Sequence, residues 1–93
     1  MEYTEDHLAK IEEYASLLTT VTDIAVLLDL DEDELRMDII DKTNIVSKTY
    51  HKAKATVLLE FRRQEIDLAK LGSTIAIEQV HKYCNEQQIS ENG

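Results

Sequence analysis

The chain has 93 residues, no proline, glycine only at positions 72 and 93, and a formal net charge of −9. Because residues that interrupt helices are nearly absent, this composition predicts an all-α protein. The acidic balance argues against a strong monomeric nucleic-acid binder, since such binding is driven by basic surface. No apolar run approaches the ~20 residues that a membrane-spanning helix needs.

Charge is distributed unevenly along the chain. Residues 1–41 contain 13 acidic side chains against Lys10 and Arg36, whereas residues 42–70 contain seven basic and three acidic ones. The middle is therefore a basic segment in an acidic protein. Cys84 is the single cysteine, so no internal disulfide can form, and the acidic N-terminus differs from a secretory signal. We expect a cytoplasmic location.

The first two predicted helices are amphipathic and apolar, respectively. Leucine, isoleucine and alanine recur at helical spacing over about residues 5–18, with Thr4 as the candidate N-cap. A short second helix follows over about residues 23–28, with Thr20 or Thr22 as its cap. Its sequence IAVLL is apolar on nearly every side, which predicts burial.

A helix-turn-helix pattern covers about residues 22–40. After a three-residue acidic turn, Asp31 and Glu34 resemble a capping box at the start of a third helix. The acidic side chains there also suit the helix dipole. Two positions depart from the usual pattern: Asp29 stands where the turn prefers glycine, and Asp38 stands where an apolar or aromatic residue normally packs.

A long fourth helix is predicted over about residues 44–71, followed by a short closing helix over about residues 74–84. Gly72 suits the end of the long helix, where a left-handed residue commonly stands. The long helix is apolar on both sides in its second half, so both sides need cover. A kink near Leu58 that folds the second half of the helix onto the bundle would bury both sides within one chain. The tail, residues 85–93, is expected to be disordered.

These elements predict one small helix-turn-helix bundle with a long fourth helix and a short closing helix, a single domain over residues 1–84. No composition shift marks a domain boundary. The predicted core consists of residues that fall on mutually compatible helix faces: Leu18, Ile24, Ala25, Leu28, Leu35, Ile39, Val46, Tyr50, Ala53 and Val57.

The sequence offers no catalytic constellation. His81 and Cys84 share a helical face, but two ligands do not make a metal site, and they are more simply read as a surface histidine and a half-buried cysteine. A chain with one internal glycine has no glycine-rich phosphate loop. We expect a non-enzyme that uses neither a metal nor another cofactor.

The order of features from Thr22 to Tyr83 resembles the phage terminase small subunits and related prophage helix-turn-helix proteins. Their pattern is an IAxxLGI helix, a short recognition helix, an AxxxGK stretch that opens a long helix, and a closing AxxGxxxAxxxxLK segment. The matching positions are Ile24, Ala25, Leu28, Leu30 and Leu35 in the helix-turn-helix, Ala53 and Lys54 in the long helix, and Ala69, Gly72 and Ala76 at the closing turn.

The resemblance implies recognition of phage DNA for packaging, assembly into a ring through the long helices, and a partnership with the large terminase subunit. The residues themselves favour phosphate contacts over base readout, because the recognition helix opens with Asp31, Glu32 and Asp33 and has one cation. The candidate DNA-binding residues are Arg36, Lys42, Lys48, His51 and Lys52.

Self-association is the second expectation for the long helix. Leu59, Ile66 and Ala69 lie nearly opposite Val57 and Leu71 on a helical wheel, so one neighbouring helix cannot cover both sides. We therefore expect a homo-oligomer whose interface includes Leu59, Ile66 and Ala69.

A function of another class is also compatible with the sequence. The acidic N-terminal third could dock onto a basic protein surface, which would make the chain an acidic protein-interaction module on a helix-turn-helix scaffold that does not bind DNA directly. A solvated acidic face is the commoner meaning of such charge.

Overall fold

A computed structural model of the protein describes residues 1–92, and in this range it contains five α-helices and no strand. The all-α prediction is confirmed. The helices are α1 (Glu5–Ser16), α2 (Val21–Leu28), α3 (Glu32–Ile40), α4 (Ile45–Lys70) and α5 (Thr74–Asn92). None of them, over the described range, is long and apolar enough to span a membrane.

Side-chain caps start the first two helices. Thr4 Oγ1 accepts a hydrogen bond from the His7 backbone N–H at 3.0 Å, and His7 Nδ1 accepts one from the Thr4 N–H at 3.3 Å. This is a reciprocal capping box in which histidine takes the place that is usually held by Glu or Gln. Helix α2 begins earlier than predicted because Thr20, not Thr22, is its cap and accepts from the Asp23 N–H at 3.2 Å.

The turn between α2 and α3 has the geometry that the helix-turn-helix pattern predicts. Asp29 ends α2 in the left-handed conformation with φ 54°, which explains why glycine is preferred there and why aspartate is tolerated. Asp31 Oδ1 then accepts from the Glu34 N–H at 2.9 Å and caps α3. The acidic start of α3 is therefore at least partly a capping device.

The chain forms two compact units, Met1–Val57 and the residues from Leu58 onward, where the sequence predicted one domain over residues 1–84. We call them the head unit and the hairpin unit. Helix α4 contributes residues to both. Nothing in the composition marks this division, because it falls inside a continuous helix.

The head unit contains the core. Seven of the predicted core residues are buried there, and α1 adds Ile11 and Ala15 to them. Leu28 and Val57 are half-buried, whereas Leu18 is exposed, so its prediction was wrong. The reason is local: α1 ends at Ser16 and Leu18 adopts the left-handed conformation with φ 57°. The buried residues that were predicted are Ile24, Ala25, Leu35, Ile39, Val46, Tyr50 and Ala53.

Helix α2 is not buried on all sides, contrary to the expectation from its apolar sequence. Ile24 and Ala25 are buried, but the side chains of Val26 and Leu27 are 70% and 57% exposed. A helix of eight residues packs on the bundle along one stripe. The remaining apolar side chains of α2 therefore face outward.

Tyr3 accounts for the unexpected aspartate in α3. The Tyr3 hydroxyl donates a 2.6 Å hydrogen bond to Asp38 Oδ2, and the Tyr3 ring packs against the core of the head unit. Asp38 is thus paired with an aromatic residue that comes from the segment before α1. Burial of the hydroxyl, and after it the hydrogen bond with Asp38, raises the pKa of Tyr3 well above its ordinary value.

The hairpin unit has almost no buried residue. After Gly72, which has φ 95°, Ser73 Oγ accepts from the Ala76 N–H at 3.3 Å and starts α5. Helix α5 continues to Asn92, so the closing helix is longer than predicted and the tail is helical where disorder was expected; residue 93 lies outside the described range. Ala76 is the one buried side chain of this helix.

Candidate nucleic-acid interface

Arg36, the one cation of α3, bridges the two helices of the helix-turn-helix. Its Nη2 donates to Thr22 Oγ1 at 2.9 Å and lies 3.4 Å from Glu32 Oε1. The ion pair is half-exposed, so it contributes little to stability. It nevertheless holds the guanidinium beside α2, and Arg36 does not extend from the tip of α3 as a base-reading arginine does.

The outward face of α3 is acidic and apolar. Met37 and Ile40 are 67% and 71% exposed, and Asp33 lies one turn before Met37 on the same face. Asp31 and Glu32 precede them at the helix start. This face lacks the hydrogen-bond donors that would contact phosphates or guanine, so the geometry does not favour direct base readout by α3.

Three of the predicted DNA-binding residues share one face of α4, which we call the α4 stripe: Lys48, His51 and Lys52. All three are exposed, and the lysines stand one turn apart. His51 Nε2 lies 3.3 Å from the Ile39 carbonyl oxygen, close to the end of α3. The stripe is therefore beside the C-terminal end of α3, and Lys42 is exposed in the turn between α3 and α4.

One acidic residue approaches the α4 stripe. Lys52 lines an open cleft of about 290 Å³ together with Glu12 and Ser16 of α1 and with Thr49 and Thr56 of α4. A carboxylate in the same cleft reduces the positive potential at Lys52. Within the stripe, Lys48 is therefore the better phosphate contact.

A second concave surface has cations and no carboxylate. This groove of about 490 Å³, which we call the threonine groove, has Arg36 and Lys54 among its lining residues. The sequence does not predict this groove, because spacing along the chain does not bring Arg36 and Lys54 together with the threonines. The one signal was the threonine-rich segment TTVT. The lining residues are Ala15, Leu18, Thr19, Thr20, Val21, Thr22, Arg36, Tyr50 and Lys54.

The predicted interface residues lie in the hairpin unit. Leu59 and Ile66 line an open groove of about 290 Å³ in which the second wall includes Val80 and Tyr83 of α5. Leu59 and Ile66 are exposed, whereas Ala69 is half-buried. Helix α5 thus covers this side of α4 incompletely.

Arginine fixes the two helices of the hairpin to each other. The Arg62 guanidinium stacks over the Tyr83 ring at 4.8 Å and lies 3.4 Å from Glu86 Oε2. His81 and Cys84 are both exposed, and in the part of the chain that the structure describes no group of three metal-binding side chains occurs.

Comparisons with protein-family models, curated proteins and solved structures find no match for this chain. The resemblance to phage terminase small subunits rests on the residue pattern from Thr22 to Tyr83.

Proposed function

We propose that the protein is a DNA-binding subunit of phage or prophage origin, similar to a terminase small subunit in DNA packaging, that holds DNA mainly through phosphate contacts. The observation that supports this most is the α4 stripe: Lys48 and Lys52 are exposed one turn apart beside a capped helix-turn-helix. Lysines so placed can neutralise neighbouring phosphates without reading bases.

Binding by one head unit is expected to be weak. The head unit has 13 acidic and six basic side chains, so its overall charge repels DNA. Several subunits that engage one duplex together would convert a weak contact into useful affinity, because each further contact is intramolecular. The proposed DNA binding is therefore linked to the proposed homo-oligomer.

The hairpin unit is the proposed site of self-association. Its apolar side chains are largely exposed on two sides of α4: Ile66 with Leu59 on the groove side, and Leu68 with Phe61 about 160° away at 100° per residue. Exposed apolar surface of this extent generally marks a contact. Two different faces on one subunit suit a head-to-tail ring, which closes through heterologous interfaces.

DNA binding at increasing salt concentration tests the proposal, with mixed-sequence duplex and protein at a concentration where the oligomer is formed. Replacing Lys48 and Lys52 by Glu should weaken binding to every sequence alike and lower the salt slope by about 2 per engaged subunit. The matched control replaces Lys10 and Lys82 by Glu, which changes the net charge equally at exposed positions of two other helices, α1 and α5. Equal losses in both variants would contradict the assigned interface.

A second candidate function follows from the outward face of α3. Met37 and Ile40 are exposed beside Asp33, a combination suited to an interface with an apolar centre and a basic partner. The large terminase subunit or another protein would be that partner, and the head unit would then contact protein through α3. A duplex that fails to bind at low salt, even to the oligomer, would favour this function over DNA binding.

A further inference from the structure

We propose that the threonine groove of the head unit is a phosphate-binding site, with Lys54 and Arg36 as its cations and the threonine hydroxyls as neutral donors. The phosphate could belong to a nucleic-acid backbone or to a free phosphate compound. The first source rests on the proposed DNA-binding function; the phosphate site itself does not.

The groove has an unusual charge for its surroundings. The head unit has more than twice as many acidic as basic side chains, yet none of the nine lining residues is acidic and two are cationic. The cleft at Lys52, by contrast, includes Glu12. Glu32 Oε1 lies 3.4 Å from Arg36 Nη2 and offsets part of that charge, so the positive potential of the groove comes mainly from Lys54.

Both cations have binding capacity left. Lys54 makes no ion pair in the described chain, and its Nζ lies 6.0 Å from the Tyr50 ring centroid. Arg36 uses only Nη2 for its contacts with Thr22 and Glu32. A guanidinium has five N–H donors, so the other nitrogens can make the charge-assisted, forked contacts that suit a phosphate group.

Hydroxyl groups complete the donor set. Thr19, Thr20 and Thr22 line the groove in one short segment, and Thr22 Oγ1 already holds Arg36 in place. Hydroxyls can donate to phosphate oxygens without adding charge. Ala15, Val21 and Tyr50 form apolar parts of the wall. A volume of about 490 Å³ accommodates a phosphate group together with a sugar.

The threonine groove and the α4 stripe are separable. Lys54 and Lys52 are two positions apart, so they lie about 160° apart around α4 at 100° per residue. Replacing one of them leaves the other face of the helix unchanged. Both side chains are exposed, so their replacement should leave the fold intact.

Nuclear magnetic resonance with two probes tests the site in the full chain: inorganic phosphate and a short mixed-sequence DNA duplex. We expect saturable shifts of the Thr19 to Thr22 backbone amides with at least one probe. Lys54→Gln should weaken that binding at least five-fold, and Lys54→Arg should restore most of it. The control Lys10→Gln, at an exposed position of the head unit that belongs neither to the groove nor to the α4 stripe, should leave the phosphate affinity unchanged within two-fold. Amide spectra of the unliganded variants check that each is folded.

The outcomes separate this proposal from the DNA-binding function. Binding of the duplex that depends on Lys54 assigns the groove to a nucleic-acid backbone. Binding of inorganic phosphate alone assigns it to a free phosphate compound and contradicts the proposed DNA binding. Duplex binding that is insensitive to Lys54→Gln, with no binding of inorganic phosphate, would contradict the groove as a phosphate site and agree with DNA binding by the α4 stripe. Absence of binding by both probes would also overturn it.

Discussion

The contact between Tyr3 and Asp38 explains a departure from the usual helix-turn-helix sequence pattern. Asp38 stands where a helix-turn-helix usually has an apolar or aromatic residue, and the Tyr3 ring fills that role from outside the motif while its hydroxyl donates to the carboxylate. A partner 35 positions away cannot be found from local spacing. The pair joins the segment before α1 to α3.

Removing this hydrogen bond should destabilise the head unit. Tyr3→Phe keeps the ring and leaves Asp38 without its donor, so we expect the free energy of unfolding to fall by about 1 kcal/mol. Urea denaturation followed by circular dichroism measures it. Tyr83→Phe is the matched control, because the Tyr83 ring contacts Arg62 through its face. An effect of Tyr3→Phe no larger than that of the control would show that the hydrogen bond contributes nothing.

The same hydroxyl predicts the response of stability to alkaline pH. The pKa of Tyr3 is raised in the folded protein, chiefly by burial. A raised pKa favours the protonated form in the fold, so the stability that Tyr3 contributes is complete below the unfolded pKa of about 10 and is lost as pH rises beyond it. Denaturation between pH 9 and 11 should show a fall that is smaller in Tyr3→Phe. Identical pH profiles would contradict the burial of this hydroxyl.

At the scale of elements, the helix-turn-helix separates an inner face from an outer one. Leu35 is fully buried in α3, whereas Leu27 of α2 is mostly exposed. Leu35→Ala should therefore cost about 2–5 kcal/mol of unfolding free energy, enough to unfold much of a small domain. Leu27→Ala should cost less than about 1 kcal/mol. Thermal denaturation of both variants checks the contrast, and similar losses would mean that α2 packs by a different face.

The turn of this element contains backbone strain that glycine would relieve. Asp29 has φ 54°, and the left-handed conformation disfavours side chains. We expect Asp29→Gly to stabilise the head unit by about 0.5–1 kcal/mol, although glycine also loses more entropy on folding. Asp29→Val should destabilise it instead. The midpoints of chemical denaturation measure both changes in stability. A stabilising effect of Asp29→Val would contradict the left-handed conformation at this position.

At the scale of the whole molecule, the two units differ in how far they bury their own apolar residues. The head unit has a core of nine buried residues, whereas α5 has one, Ala76. Small chains often need an oligomer to cover enough apolar surface. The hairpin unit is therefore the part whose stability should depend on protein concentration.

Charge substitutions on the two sides of α4 test this assembly. Ile66→Glu and Leu68→Glu place a carboxylate on the groove side and on the opposite side, and each should dissociate a head-to-tail ring, because such a ring uses both faces. Sedimentation at micromolar concentration measures the oligomer. Gln64→Glu, at an exposed polar position of the same helix, is the control. A wild-type chain that stays monomeric to about millimolar concentration would contradict the proposed self-association.

The sequence alone determined the features that depend on near neighbours. The all-α class, the caps Thr4 and Asp31, and the apolar faces that supply most of the head core followed from spacing, because caps and helix faces are set within one or two turns. The choice of Thr20 over Thr22 as the cap of α2 did not. Two helix ends differ from the sequence prediction. Leu18 is not in the core because its backbone leaves the helix, and residues 85–92 continue α5 although their polar composition predicted disorder.

Only the tertiary structure decided which side chains meet across elements. The threonine groove joins the segment before α2 with Arg36 of α3 and Lys54 of α4, and the Tyr3–Asp38 bond joins two distant segments. The division at Val57 and Leu58 lies within one helix, and although the change of apolar faces allowed a kink near Leu58, local spacing does not show that one compact unit ends there. Such features depend on how the helices pack against one another. The helical periodicity of a sequence shows which faces are apolar, but it does not show which element packs on each face.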